Sequence, residues 1–341
     1  MKLKFILLGW LLGALVFPAG AWDYEGHHTV NMLALASLPA DFGGFEITSA
    51  LKSRVALLGG EPDRWRNVAD LELRHDNGPD HYFDLEDLQL CGLTPETLPP
   101  LRYDFLAVLV RARAAHPETF PAIDPARDAD HTRELDGFLP WAITENYEKL
   151  KSGFATLKAL KEYGGTAEEV ANAQADIIYV MGVLGHYVGD GSQPLHTTRH
   201  FNGWVGANPK GYTTSLKFHG WIDGGFFKKT GGIRAEPLLG KIHPAERLAG
   251  AGAAGGVFKQ TVAYLVAQNQ GVEPLYELEK SGRLSGEGDK GLEGRGFLEG
   301  QIVKGGQMLG NLWLTAWLEA PVDTYLERQL KERAADGRDT K

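Results

Sequence analysis

The sequence predicts an all-α protein. Apolar residues recur at helical spacing over most of the chain, and alternating, strand-like runs are scarce. No internal repeat and no Pro/Ser linker divides it, and its candidate ligands are spread from Trp22 to Asp223. One domain over residues 22–336 is therefore expected, preceded by a leader over 1–21 and followed by a flexible tail over 337–341.

The leader comes first. Lys2 and Lys4 precede a short apolar run from Phe5 to Phe17, and Ala19-Gly-Ala21 forms an A-x-A cleavage site. An apolar core of about 13 residues falls short of the ~20 needed to span a bilayer. Cleavage after Ala21 would make Trp22 the first residue of an exported chain. Its α-amine, with an ordinary pKa of ~7.7–8.0, could chelate a metal ion together with its own carbonyl oxygen.

The first helix is expected over residues 27–38, with Val30, Leu33, Ala34 and Leu38 on its apolar face. Helices over 46–58, 62–71, 101–116, 131–152 and 153–164 follow, with a weak strand signal at 81–84. The segment 167–190 reads as a helix whose second half is almost wholly apolar (Ile177, Ile178, Val180, Met181, Val183, Leu184), and Pro194 stops it. Glycine-rich loops are expected at 200–215, 229–240 and 281–297, the last a polar surface loop, and a second weak strand signal lies at 211–218. Helices over 244–268, 298–318 and 320–335 complete the chain. The wide apolar surface of Ile302, Val303, Leu309, Leu312, Trp313, Trp317 and Leu318 marks a core helix rather than a lipid-binding face.

Composition narrows the functional classes. The formal charge is −9, and loss of Lys2 and Lys4 with the leader takes it to about −11. Such a chain does not grip duplex nucleic acid through a broad basic face. A phosphodiester substrate stays open, because bound cations supply positive charge that residue counts omit. The single cysteine, Cys91, forbids an intrachain disulfide and receives no role. Nothing points to stable membrane association or to an obligate protein partner.

The chemistry concentrates in His186-Tyr-Val-Gly-Asp190-Gly-Ser-Gln-Pro194-Leu-His196. His186 and Asp190 are four apart, so on a helix they share one face. Beyond Pro194, His196 leaves in another direction. His219 and Asp223 repeat the spacing. Glu61-Pro-Asp63-Arg-Trp-Arg66 opens like a helix, with Asp63 and Arg66 three apart, and Gly78-Pro-Asp-His81-Tyr-Phe-Asp84 sets a histidine just past a turn. With His27 and the Trp22 amine, these imidazoles and carboxylates without cysteine suit zinc in a hydrolytic role. Rival readings exist for several positions. Asp70 and Asp80 compete with Asp63, His28 competes with its neighbour His27, and Tyr82 could be a core aromatic. His75, His116, His131, His200 and His243 fit surface or hydrogen-bonded histidines.

Taken in order, Trp22 with His27, Asp63-x-x-Arg66, His81-Tyr-Phe-Asp84, His186-x-x-x-Asp190 with Gln193-Pro-Leu-His196, and His219-x-x-x-Asp223 resemble the zinc-dependent S-one/P-one nucleases. That family shares a superfamily with the bacterial zinc-dependent phospholipases C. The resemblance spans residues 22–223 and implies a mainly helical domain of the phospholipase C/P-one nuclease type holding three Zn²⁺ ions. Asp63, His81, His186 and Asp190 would hold the first. Trp22 and His27, with Asp190 bridging, would hold the second, and His196, His219 and Asp223 the third. Asp63 and Arg66 would serve catalysis, with Arg66 clamping a phosphate oxygen, while Tyr82 stacks a base and Asp84 reads its edge. Three Zn²⁺ against three aspartates leave a net charge of about +3, which attracts a phosphodiester.

The implied activity is hydrolysis of single-stranded DNA or RNA, and of 3′-nucleotides, by metal-activated hydroxide in the periplasm or outside the cell. A phospholipase C acting on lipid head groups is the alternative, and a non-catalytic zinc-binding protein the third reading. The chain departs from the family after His196, where Thr197-Thr-Arg-His-Phe-Asn-Gly-Trp204 replaces a usual Gly-Gly-Asn segment. The family's paired cysteines are also missing, and Leu139-Pro-Trp-Ala-Ile-Thr-Glu-Asn-Tyr147 stands where a cysteine-containing helix is usual.

Overall fold

A computed structural model describes residues 22–337. The expected leader lies outside the described residues, and so do residues 338–341 of the expected tail. Among the described residues, fourteen α-helical segments follow one another: α1 (Tyr24–Ser37), α2 (Ser49–Leu58), α3 (Glu61–Asn67), α4 (Leu71–Asn77), α5 (Arg102–Ala115), α6 (Leu139–Tyr163), α7 (Ala167–Ser192), α8 (Phe218–Gly220), α9 (Phe226–Lys229), α10 (Gly256–Asn269), α11 (Val272–Lys280), α12 (Gly288–Leu292), α13 (Arg295–Glu319) and α14 (Thr324–Ala335). No strand forms among the described residues; the extended backbone makes one isolated bridge, Phe201 to Gly203. The chain is all-α, as the periodicity predicts.

Local signals explain most boundaries. Asp23 accepts a hydrogen bond from Gly26 N and starts α1 three residues before the first expected position. Thr48 caps α2 through Leu51 N. At α7, Thr166 and Glu169 form a reciprocal capping box, a feature that stabilises a helix start by about 1 kcal/mol.

Several expectations are corrected. The two helices expected over 131–152 and 153–164 are one, α6, and residues 131–138 precede it as turn. Gly153 does not break α6, because it lies where a side chain would press against Ile177 of α7 at 3.0 Å. The helix expected over 62–71 is α3 and ends at Asn67, and a separate helix, α4, runs from Leu71 to Asn77, beyond the expected range. The one expected over 244–268 begins only at Gly256, since Gly250 and Gly255 adopt φ of 71° and 68° and hold the preceding chain in turns. Segments 81–84 and 211–218 form no strand: their backbones make single hydrogen bonds, such as Phe83 N to His196 O (2.9 Å) and Trp204 N to Thr213 O (2.8 Å), and no ladder. The loop expected over 281–297 contains α12 and the first turn of α13, and α11 forms where no helix is expected.

The long helices α6, α7 and α13 pack together with α1, and α2 closes over α7. One apolar core, from Trp22 to Leu330, fills the space between them. Helix α7 is the central element, and every residue from Met181 to Ser192 is buried. Bare backbone makes this possible. A side chain at Gly185 would collide with Asn31 Oδ1 of α1 at 1.7 Å, and one at Gly189 would meet His27 Nδ1 at 2.7 Å. Glycine inside a helix costs roughly 0.5–1 kcal/mol against alanine. Here it lets α1 approach until Asn31 Nδ2 donates to Val55 O of α2 (2.8 Å) and Gly182 O of α7 (3.3 Å). The same approach lays His27 beside Asp190. No helix among the described residues is long and apolar enough to cross a membrane.

Candidate metal centre

The C-terminal half of α7 supplies His186 and Asp190, one turn apart and both wholly buried. Helix α1 brings His27 against them, α3 brings Asp63, and the short 3₁₀ turn Gly78–His81 brings His81. After Gln193 the chain turns through Pro194–Thr197 and presents His196. His219 and Asp223 stand on a helical stretch that widens to a π turn over Trp221–Gly225, yet their side chains still meet at 2.8 Å. Such turns interrupt helices most often at functional positions.

These residues form three groups, buried except for the half-buried Asp63, and within each the ligand atoms lie within 4.8 Å of one another: His27, His186 and Asp190; Asp63, His81 and His186; and His196, His219 and Asp223. Asp190 divides its two oxygens. Oδ2 lies 2.9 Å from His81 Nδ1 and 3.3 Å from His186 Nε2, whereas Oδ1 faces His27 Nε2 at 3.3 Å. His186 Nε2 is 3.0 Å from His81 Nδ1 and 3.9 Å from Asp63 Oδ1. Donors about 2.0–2.1 Å from a tetrahedral ion are about 3.3 Å from each other. The observed separations bracket that edge length.

Backbone carbonyls fix the tautomers. His186 Nδ1 donates to Gly59 O (2.7 Å), His196 Nδ1 to His81 O (2.6 Å) and His219 Nδ1 to Phe201 O (3.3 Å). A carbonyl only accepts, so Nδ1 carries the proton and each Nε2 keeps its lone pair for the group. Gln193 Nε2 donates to Asp223 Oδ1 at 2.7 Å, which leaves Asp223 Oδ2 for His219's side. Outer partners of this kind orient metal ligands.

Electrostatics favour neutral imidazoles at three of the five histidines; at His186 burial acts downward, but the charges of Asp190 and Asp63 outweigh it and raise the imidazole. Burial, followed by the charge of Arg66, lowers His81 to about 3, and burial lowers His196 to about 4. Burial and the neighbouring His186 also lower His27. For Asp190, burial acts upward, but His186 and His196 outweigh it and hold the carboxyl well below its usual range. Burial likewise opposes ionisation of Asp63, and Arg66 overcomes it, bringing Asp63 to about 2. Asp63 and Asp190 are thus charged, and His27, His81 and His196 neutral, near pH 7.

Without a cation the arrangement is costly. His27 Nε2, Asp190 Oδ1, His196 Nε2 and Asp223 Oδ2 are all buried with no hydrogen-bond partner. Each such atom costs about 1–3 kcal/mol when left unpaired. Four of them converging on buried histidine and aspartate groups fit divalent cations. The groups can hold metal ions.

Of the rival positions, His28 is half-buried beside Tyr24 and His27 faces the site. Asp70 is exposed, and Asp80 pairs with Arg102 at 2.6 Å. His200, off the pattern, is buried and stacked on Trp204. Trp22 is fully buried, its indole donating to Ser192 Oγ, and the next peptide N–H donates to Asp223 O. This places it between the α7 and Asp223 segments. Arg66 Nε reaches Asp63 Oδ1 at 2.8 Å. Tyr82 is half-buried, with its hydroxyl donating to Leu135 O (3.3 Å). Asp84 lines a cavity of about 280 Å³ with Asp87, Arg113 and Asp136. Sequence reasoning gives no role to Gln193, Gly59, Phe201 or Asp136. Gln193 stands inside the quoted motif, but its partner Asp223 lies 30 residues on. No protein-family model, curated protein or solved structure matches the chain.

Proposed function

We propose that this protein is an exported zinc-dependent phosphodiesterase that hydrolyses single-stranded nucleic acid and 3′-nucleotides. The observation that carries the reading is the divided Asp190 carboxylate. One oxygen serves His27 and the other serves His81 and His186, while His81 O holds His196 of the third group. Ligands for adjacent cations are thereby coupled in one buried cluster.

Zinc bound here would supply Lewis acidity and a water of lowered pKa. The protein's own part is to hold Asp63 and Asp190 charged and to turn the Nε2 atoms of His186, His196 and His219 toward the groups before substrate arrives. In this reading cleavage after Ala21 frees the Trp22 amine as a further ligand. Arg66, aligned by Asp63, presents its guanidinium to a non-bridging phosphate oxygen. Tyr82, next after His81, and Asp84, three residues after it, contact a base, and the cavity beside Asp84 gives that base edge room. A paired base cannot enter such a site, so single strands are preferred.

Purified protein beginning at Trp22, assayed on single-stranded DNA, a 3′-nucleotide and phosphatidylcholine with and without chelator, tests the proposal. Chelator-sensitive cleavage of the first two is expected. Cleavage of the lipid alone would replace it with the phospholipase reading, and inactivity on all three at full zinc loading would leave a non-catalytic metal protein.

A further inference from the structure

The segment after His196 builds a hydrogen-bonded loop that leaves the Phe201 ring partly open to solvent beside the third ligand group. His200 stacks on Trp204 with ring centroids 4.0 Å apart and planes 7° from parallel, and its Nδ1 accepts from Val205 N (3.2 Å). Tyr276 donates its hydroxyl to His200 O, and Thr198 Oγ1 accepts from His200 N at 3.1 Å. On the far side, Trp204 N donates to Thr213 O (2.8 Å). Gly203, at φ 95°, passes so close to the Thr214 backbone that a Cβ would sit 2.6 Å from it.

Between these anchors the chain touches the candidate metal centre. Asn202 Oδ1 accepts from His219 N (3.2 Å), and Phe201 O accepts from His219 Nδ1. The Phe201 ring stands edge-on to the His219 ring, with centroids 5.7 Å apart and planes at 82°, and the residue is 37% exposed. The ring is not needed to close the core. The loop beneath it is tied on one side through Tyr276 and Thr198 and on the other through Thr213.

We propose that Phe201 is a second base platform, on which a nucleobase of a single-stranded substrate stacks at the His219 end of the site. This rests on the nucleolytic reading and deepens it. A phenyl face offers no hydrogen bonds, so it accepts any base and rejects only bases that remain paired. Ligand and platform are joined through one residue: the Phe201 carbonyl orients His219, so the ring's position is registered to the centre.

The test compares wild type, Phe201→Ala and Phe201→Trp on a short oligodeoxyadenylate and on an abasic strand of equal length. Removing a stacking ring costs about 5- to 100-fold per base. Phe201→Ala should cut the preference for the base-bearing strand by that factor, through KM, and Phe201→Trp should keep it. Binding of deoxyadenosine 5′-monophosphate against deoxyribose 5-phosphate, measured calorimetrically, should show the same loss without turnover. An unchanged preference in Phe201→Ala, or equal losses on both strands, overturns the platform and leaves the hydrolase reading standing. Wild-type protein that cuts neither strand overturns both.

Discussion

Two clusters in this molecule bury several ionisable groups within a few ångströms, and they respond in opposite ways. Around Asp190 the carboxylates are ringed by imidazoles, and Asp190 and Asp63 fall below their ordinary range. Around Asp84 the carboxyl groups face one another. Burial, then Asp87, Glu86 and Asp136, drive Asp84 well above its ordinary value, and burial with Asp87 brings Asp136 to about 7. Burial is common to both; the neighbours decide the sign. A buried anion ringed by nitrogen donors calls for a cation. A buried acid among acids keeps its proton.

On that contrast, removing the shared carboxylate should have the largest consequence. Asp190→Ala should bind two fewer equivalents of zinc than wild type, because both of its oxygens are used, and activity should fall more than about 100-fold. His219→Ala should lose a single equivalent. Elemental analysis of zinc-saturated protein checks both; full zinc content in Asp190→Ala would remove the bridging role. A smaller effect is expected at Gln193, which touches only the third group. Gln193→Leu leaves Asp223 Oδ1 without its donor and should weaken one zinc by about 10–100-fold, sparing the others. A competing-chelator titration resolves a single weakened step from a uniform loss.

What could be read from the sequence follows the range of each signal. The i,i+4 pairs at His186 and His219 are local, and both appear where spacing requires. Asp63 is separable from Asp70 and Asp80 only by the arginine three residues on, a local cue again. Illegible are the contacts set by packing. Gly189 reads as a weak point in a helix until α1 is seen to lay His27 on it. Gly153 suggests a break in α6 because nothing in the sequence reveals Ile177 opposite. The Asp84 cavity is the strongest case: Asp136 lies 52 positions on in sequence, and no pattern joins it to Asp84. Periodicity tells which face is buried, never what lies across from it.

The carboxyl cluster supplies the last and smallest prediction. Asp136 is 3% exposed, its Oδ2 has no partner, and Arg113 Nη2 is 3.8 Å from its other oxygen. Its folded pKa of about 7 exceeds the ordinary 3.8. In the interval between them the unfolded chain has released this proton while the folded chain retains it. Folding therefore binds a proton, and stability is lost as pH rises through about 7. An amide in place of this carboxyl has the same shape and no charge, and so is free of that penalty. Asp136→Asn should then stabilise the protein by about 1–2 kcal/mol at pH 8, below the ceiling set by ~1.4 kcal/mol per pKa unit because the buried amide brings N–H donors that must themselves find partners. Near pH 5 the gain should be smaller, since the folded wild type still holds its proton. Urea unfolding at both pH values, with metal chelated so that the histidine cluster contributes equally, measures the difference. Equal destabilisation at both would mean that Asp136 is an ionised partner of Arg113, and the two clusters would no longer differ in kind.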